Sequence, residues 1–296
     1  MSSKRFSYGG QAVIEGVMMR GRRTMAIAVR NNNRDIVLNE ETLQPLADKY
    51  PFLGWPIIRG AVSLVETLVI SIKALNYSAS VIAEDEGEEL GTKELVLTMA
   101  MALLLTVGIF IVLPAFLLRF VQSHITSNVL LNVVEGLIKI TLFVSYIALI
   151  SQMADIRRVF QYHGAEHKTI NCYEQGEELT LNNVRKHSPI HARCGTNFIL
   201  IVFFTSIFIF SFFGRPPFLI RVLTHLAILP LVAGLSYEVI KLAGKKNANP
   251  LVRAVAKPGL LLQKLTTREP DDDQIMVAIR SLEAVLNQEE RKNQNA

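Results

Sequence analysis

The stretch LVLTMAMALLLTVGIFIVLPAFLL, residues 95–118, carries no charged side chain and is long enough to cross a bilayer as a helix. About 20 apolar residues suffice for a hydrocarbon core of about 30 Å. Three further runs follow the same pattern: VLLNVVEGLIKITLFVSYIALI (129–150), FILIVFFTSIFIFSFF (198–213) and LIRVLTHLAILPLVAGLSYEVIKLAG (219–244). Together they predict a mainly α membrane protein with four transmembrane helices. They also explain why half of the 296 residues are hydrophobic and why the mean hydropathy is +0.30. No cleavage-site pattern precedes the first run, so the sequence predicts no signal peptide.

Lys and Arg set the orientation. The connector 119–128 carries only Arg119, and the turn 214–221 carries Arg215 and Arg221. Residues 1–94 carry eleven, segment 153–196 carries six, and the tail from 243 carries nine. Both termini and the 153–196 loop are therefore expected to face the cytoplasm. This asymmetry accounts for a pI near 9.2 without nucleic acid. The expected partners are the lipid bilayer, anionic headgroups at the basic face, and protein partners or a second copy. In that compartment Cys172 and Cys194 stay reduced, so no structural disulfide is expected.

The chain divides into six segments. Residues 1–52 form an N-terminal β element, since MAIAVR (25–30) and IVLNEE (36–41) flank the turn NNNRD. Residues 53–94 hold an interfacial or re-entrant helix and the acidic connector EDEGEE (84–89). Arg59, Glu66 and Lys73 recur every seven residues on that helix, a stripe that a lipid-spanning helix would drag through hydrocarbon. Residues 95–152 and 197–244 form two transmembrane hairpins around the His/Cys-rich loop 153–196. The basic tail 245–296 is expected to run irregularly over the surface through its Pro and Gly. It then opens a helix at Asp271–Asp273 with the apolar stripe Ile275, Ile279, Leu282 and Leu286.

The chemistry concentrates in the loop. In HGAEH (163–167), His163 and His167 are spaced i, i+4 on one helix face, the geometry by which two imidazoles hold one Zn²⁺. Glu166 beside them completes the order H-x-x-E-H, in which a glutamate acts as general base on metal-activated water. In SPIHARCGTN (188–197), Ser188 suits an N-cap and Pro189 a first helical turn, so His191 and Cys194 would share a face. The predicted set is His163, His167, His191 and Cys194 around a divalent metal, expected to be Zn²⁺. Four protein ligands make a closed structural site, whereas three ligands beside Glu166 make a catalytic one. Cys172 is a substitute for Cys194, and His187 is spare. Straight helices would leave His163 and His191 about 9 Å apart in height, so a break at Gly164 or near Arg157–Arg158 is expected.

Charges within the apolar runs are costly and are read as functional or as interhelical glue. Glu135 and Lys139 form an i, i+4 pair, and His225 is predicted at the depth of Glu135. Glu238 and Lys241 lie near the cytoplasmic end.

GGQAVIEGVMMRG, the RG of PIIRG, YHGAEHKTINCYE, HARCGTNF and LTTREP together resemble the YqhQ-like family of bacterial multipass membrane proteins. That family carries the label of a predicted metal-dependent enzyme of unknown function, and the resemblance runs from about Tyr8 to Leu286. It implies a cytoplasmic His-rich loop and directs attention to Gln11, Glu15, Arg20, His163, Glu166, His167, Lys168, Cys172, His191, Arg193 and Cys194. The expectation is a membrane-embedded, metal-dependent hydrolase of open substrate. The alternatives are a non-enzymatic scaffold or assembly factor with a structural metal, and a small transporter using Glu135 and Lys139.

Overall fold

The computed structural model describes residues 8–86, 92–214, 216–243 and 250–294. Arg215 and part of the acidic connector 84–89 lie outside them. The chain opens with a four-stranded antiparallel meander, β1 (Gly9–Val13), β2 (Gly16–Arg20), β3 (Thr24–Arg30) and β4 (Ile36–Thr42). The predicted β3–β4 hairpin is present, with Arg30 opposite Ile36. The glycine-punctuated stretch ahead of it is itself a hairpin, turning at Ile14–Glu15 with Val13 opposite Gly16.

Period-two alternation sorts the sheet's two faces. Val17, Met19, Ala26 and Ala28 pack beneath α6 (Ala154–Gln175) and α11 (Asp272–Gln294). Val13, Met18, Met25, Ile27 and Val29 pack on α2 (Ile58–Glu86) through Ala74. Both faces are thus covered by helices, and β2 and β3 are buried almost throughout. The charged stripe of α2 is paired within the protein: Arg59 with Glu238 at 2.6 Å, Glu66 with Arg20 at 4.0 Å and Lys73 with Glu41 at 2.5 Å. A Cβ on Gly60 would lie 2.8 Å from the Cα of Gly234 in α9 (Phe218–Ala243), so only glycine lets α2 and α9 cross this closely.

Among the described residues, three helical stretches are long and apolar enough to cross a membrane, by length and composition: Val96–His124, Asn128–Ile150 and Phe218–Leu242. The first joins α3 (Thr92–Val107) and α4 (Leu113–Val121) through a π-helical turn at Gly108–Val112. The second is α5 (Asn128–Ile150). The remaining predicted span is the shorter apolar helix α8, Gly195–Phe210, packed among α5, α9 and α10 (Pro250–Thr266). Between α5 and α9, Glu135 meets Lys139 at 2.9 Å and His225 at 2.9 Å, as their depth predicts. It also pairs with Arg221, a partner the sequence reading missed.

The tail differs from expectation. From Pro250 it is helical and packed on α8 rather than irregular, with Pro258 inside the helix. Gly259 is a contact rather than a breaker: a Cβ there would lie 2.8 Å from the Cα of Asn197. Asp271 and Gln274 then cap α11 reciprocally, at 2.8 and 3.0 Å. The predicted stripe of α11 covers the sheet and α6, with Ile275, Ile279 and Leu282 buried.

Candidate metal centre

The expected helix break lies elsewhere. The chain turns at Ser151–Met153, and α6 then runs unbroken through Arg157, Arg158 and Gly164. Gly164 is where LTTREP crosses α6, because a Cβ there would collide with the carbonyl oxygen of Arg268. The Arg268 N–H donates to the Phe160 carbonyl at 2.9 Å and holds that crossing.

The crossing supplies an acceptor. His163 Nδ1 lies 2.8 Å from the Thr266 carbonyl, and His167 Nδ1 lies 2.7 Å from the Pro189 carbonyl. A carbonyl only accepts, so both Nδ1 atoms carry the proton and both Nε2 atoms present lone pairs. Carbonyl acceptors orient metal-binding histidines in this way.

Residues 188–194 do not form the predicted helical turn. Their carbonyls are taken by α6 side chains: Asn171 Nδ2 donates to Ser188 and Ile190, and His167 donates to Pro189. The N-cap of α8 is Cys194, not Ser188, and its Sγ accepts the Thr196 N–H at 3.4 Å.

His163, His167 and Cys194 come together, with one ligand atom from each within 4.8 Å of the others. Cys194 Sγ is 3.3 Å from His163 Nε2. Zinc–nitrogen and zinc–sulfur bonds at tetrahedral angles separate neighbouring ligands by about 3.3–3.6 Å, so this spacing suits one ion. Glu166, 3 % exposed, sets Oε2 3.4 Å from His167 Nε2. Its other neighbour is the backbone N–H of Gly10. A Cβ on Gly10 would meet the Met18 carbonyl oxygen at 2.5 Å and Glu166 Cγ at 3.0 Å, so glycine is needed at that position of β1.

The remaining predicted residues are placed apart from this trio. The His191 ring lies tilted beside His167 at 5.6 Å between ring centroids, but its Nε2 faces Glu174 Oε2 at 3.5 Å. Glu174 also pairs with Arg193. Cys172 is near Glu177 and the supposedly spare His187, in a separate group. Lys168 reaches the Arg185 carbonyl at 2.9 Å and Glu269 at 2.5 Å. Glu15 pairs with Arg158, and Gln11 with Ser71. Gln263, Thr266 and Gly10 were not foreseen, and only the Gly-Gly pair left a trace in the sequence.

Burial governs the electrostatics. It lowers His167 to about 2 and lowers His191, so both imidazoles are neutral. It pushes the Cys194 thiol up to about 11, and raises the Glu166 carboxyl against the opposing pull of His163, His191 and the Gly10 N–H. The neutral His167 and His191 rings, the protonated thiol and the buried carboxyl bring no positive charge of their own. A dication there would reverse the preference of thiol and carboxyl together.

A family model described as "Protein of unknown function (DUF1385)" matches residues 55–288. The chain is 35% identical over 307 residues to "Uncharacterized protein YqhQ" of Bacillus subtilis (strain 168), an alignment covering 98% of this chain and 95% of that protein. No solved structure matches.

Proposed function

The chain belongs to the DUF1385 family, and from that premise we infer that it is a multipass membrane protein carrying a metal-dependent hydrolase centre on its cytoplasmic side. The observation that carries this reading is the convergence of His163, His167 and Cys194 with carbonyl-fixed imidazoles, beside a buried Glu166. A zinc ion held by these three residues would supply Lewis acidity and a more acidic water. Glu166, poised by burial above the ordinary carboxylate range, accepts and returns the proton that hydrolysis moves.

Packing supports four crossings. The sheet, α6 and α11 share one core, so all three lie on one side of the bilayer. An even number of crossings must then separate the sheet from α6, and α6 from α11. The Val96–His124 stretch with α5, and α8 with α9, satisfy this, whereas α2 as a fifth span breaks it. Twenty-six of the thirty-one Lys and Arg fall in the three segments joined in this way, which supports the cytoplasm as that side.

The scaffold reading draws on the depth of the site, since His167 is only 1 % exposed. Transport has less support, because the cavity beside Glu135 is about 10 Å³, room for about one water. Elemental analysis of the purified protein tests the centre. One zinc per chain, lost in His163→Ala and retained in Glu166→Gln, is the expected result. A chain without stoichiometric metal removes the hydrolase.

A further inference from the structure

A cleft of about 820 Å³ lies between the sheet, α2 and the ends of α8 and α9 nearest the sheet. That volume is within the range of small-molecule sites, about 300–1,000 Å³. Its lining is divided by chemistry. Arg20, Arg22, Arg193 and Lys241 line it with one carboxylate, Asp48. Arg22 faces Asp48, while Arg20 and Arg193 are steadied by Glu66 and Glu174, which do not line the cleft. Leu64, Phe198 and Ile240 give it an apolar wall.

Its position matches that division. Arg193 and Lys241 flank the polar ends of two apolar helices, α8 and α9. On α2 the cleft is lined by Leu64 and Ile70. A free anion has no use for such a wall, and a bare acyl chain has no use for four cations. A lipid with an anionic headgroup uses both. Cys194 and Gly10 also line the cleft, so it reaches the residues that hold and buttress the candidate centre.

We propose that this cleft seats a phosphate-bearing lipid taken from the adjoining leaflet, its phosphate on the four cations and its chains along α2, and that this lipid class is the substrate of the candidate centre. The substrate half rests on the hydrolase reading, and the lipid seat does not. In the reaction water breaks the P–O bond to the lipid alcohol. Its hydroxyl joins phosphorus, and its proton, relayed by Glu166, goes to the leaving oxygen.

The test uses the full-length protein in a neutral maltoside micelle, with fluorescent phosphatidic acid as probe and phosphatidylcholine of equal chain length as control. Phosphatidic acid should bind at least about tenfold more tightly than the control. Arg22→Gln with Lys241→Gln, both surface positions, should weaken it by about tenfold or more while melting temperature and zinc content stay unchanged. Equal binding of the two lipids, or indifference to the double variant, overturns the seat. Displacement by equimolar inorganic phosphate also overturns it, by making the ligand a free anion. His163→Ala should keep lipid binding while losing metal. If the wild-type protein lacks metal yet binds phosphatidic acid in this cation-dependent way, the hydrolase fails and the seat stands. If metal is stoichiometric and the cations do not matter, the seat fails and the centre stands. Release of phosphate from bound phosphatidic acid by the zinc-loaded protein, abolished in Glu166→Gln, supports the substrate half, and no release overturns it.

Discussion

Gln263 holds the backbone of His191 from both sides: its Oε1 accepts the His191 N–H at 2.9 Å, and its Nε2 donates to the His191 carbonyl at 2.9 Å. The same Nε2 reaches Asn197 Oδ1 at 3.0 Å. A side chain on α10 thus fixes the turn that carries the Pro189 carbonyl and Cys194. Gln263→Leu leaves buried donors and acceptors unpaired at about 1–3 kcal/mol each, so the melting temperature should fall. Zinc affinity, measured by chelator competition, should drop by about tenfold or more, as for other supports of metal ligands. An unchanged affinity would mean that the turn holds its shape without α10.

Gly164→Ala places a methyl against the Arg268 carbonyl. The 266–270 segment must lift from α6, taking the Thr266 acceptor away from His163. We expect lower thermal stability and lost zinc, although no ligand has been changed. Retained zinc would show that His163 is oriented by something other than Thr266.

Zinc binding should strengthen as pH rises. The Cys194 thiol, pushed up to about 11, must lose a proton to become a ligand, and the raised Glu166 adds to the demand. His167, lowered to about 2, is already neutral at ordinary pH and does not compete. Below pH 11 the apparent affinity should therefore gain at least about one decade per pH unit. A flat profile in a competition titration would exclude thiolate ligation.

Glu135 is the carboxylate between Lys139, Arg221 and His225. Glu135→Gln strands the positive charge of Lys139 and Arg221 in an apolar setting, a loss of about 3–5 kcal/mol by analogy with broken buried pairs. The folded yield in detergent should fall sharply. Arg221→Met, which leaves Lys139 opposite Glu135, should cost less. Equal yields would indicate that water reaches the cluster.

Crossing number is open to labelling. Cysteines at Gln122 and Glu177 should react with an impermeant maleimide from opposite sides, and those at Trp55 and Lys73 from the same side. Opposite-sided labelling of Trp55 and Lys73 would make α2 a span and break the parity that the shared core requires.

The run 95–118 was legible because a stretch of that length without a charge has few other uses. The His163–His167 pair was legible because its i, i+4 spacing survives any helix. The grouping beyond that was not. Which of His191 and Cys194 joins the pair depends on backbone carbonyls at Pro189 and Thr266, and a carbonyl has no letter in the sequence. Pro258 and Gly259 read as breakers because local preference favours that. In the fold Gly259 is the place where Asn197 approaches, a tertiary reason that overrides the local one. Gly60 stood in the quoted RG of PIIRG, but its physical reason, the close approach of Gly234 far along the chain, has no local sign.

The covering of β2 by α11 has a consequence for biogenesis. Ser281, whose hydroxyl accepts the Met19 N–H, is made 262 residues later. At about 5–20 residues per second on the ribosome, roughly 13–50 s pass between the two. During that time Val17, Met19, Ala26 and Ala28 have no α11 above them while the apolar helices enter the bilayer. That face of the sheet stays open until the final helix emerges, so the core it shares with α11 cannot close before translation is nearly complete. Its assembly is therefore timed by translation rather than by the sheet's own folding rate.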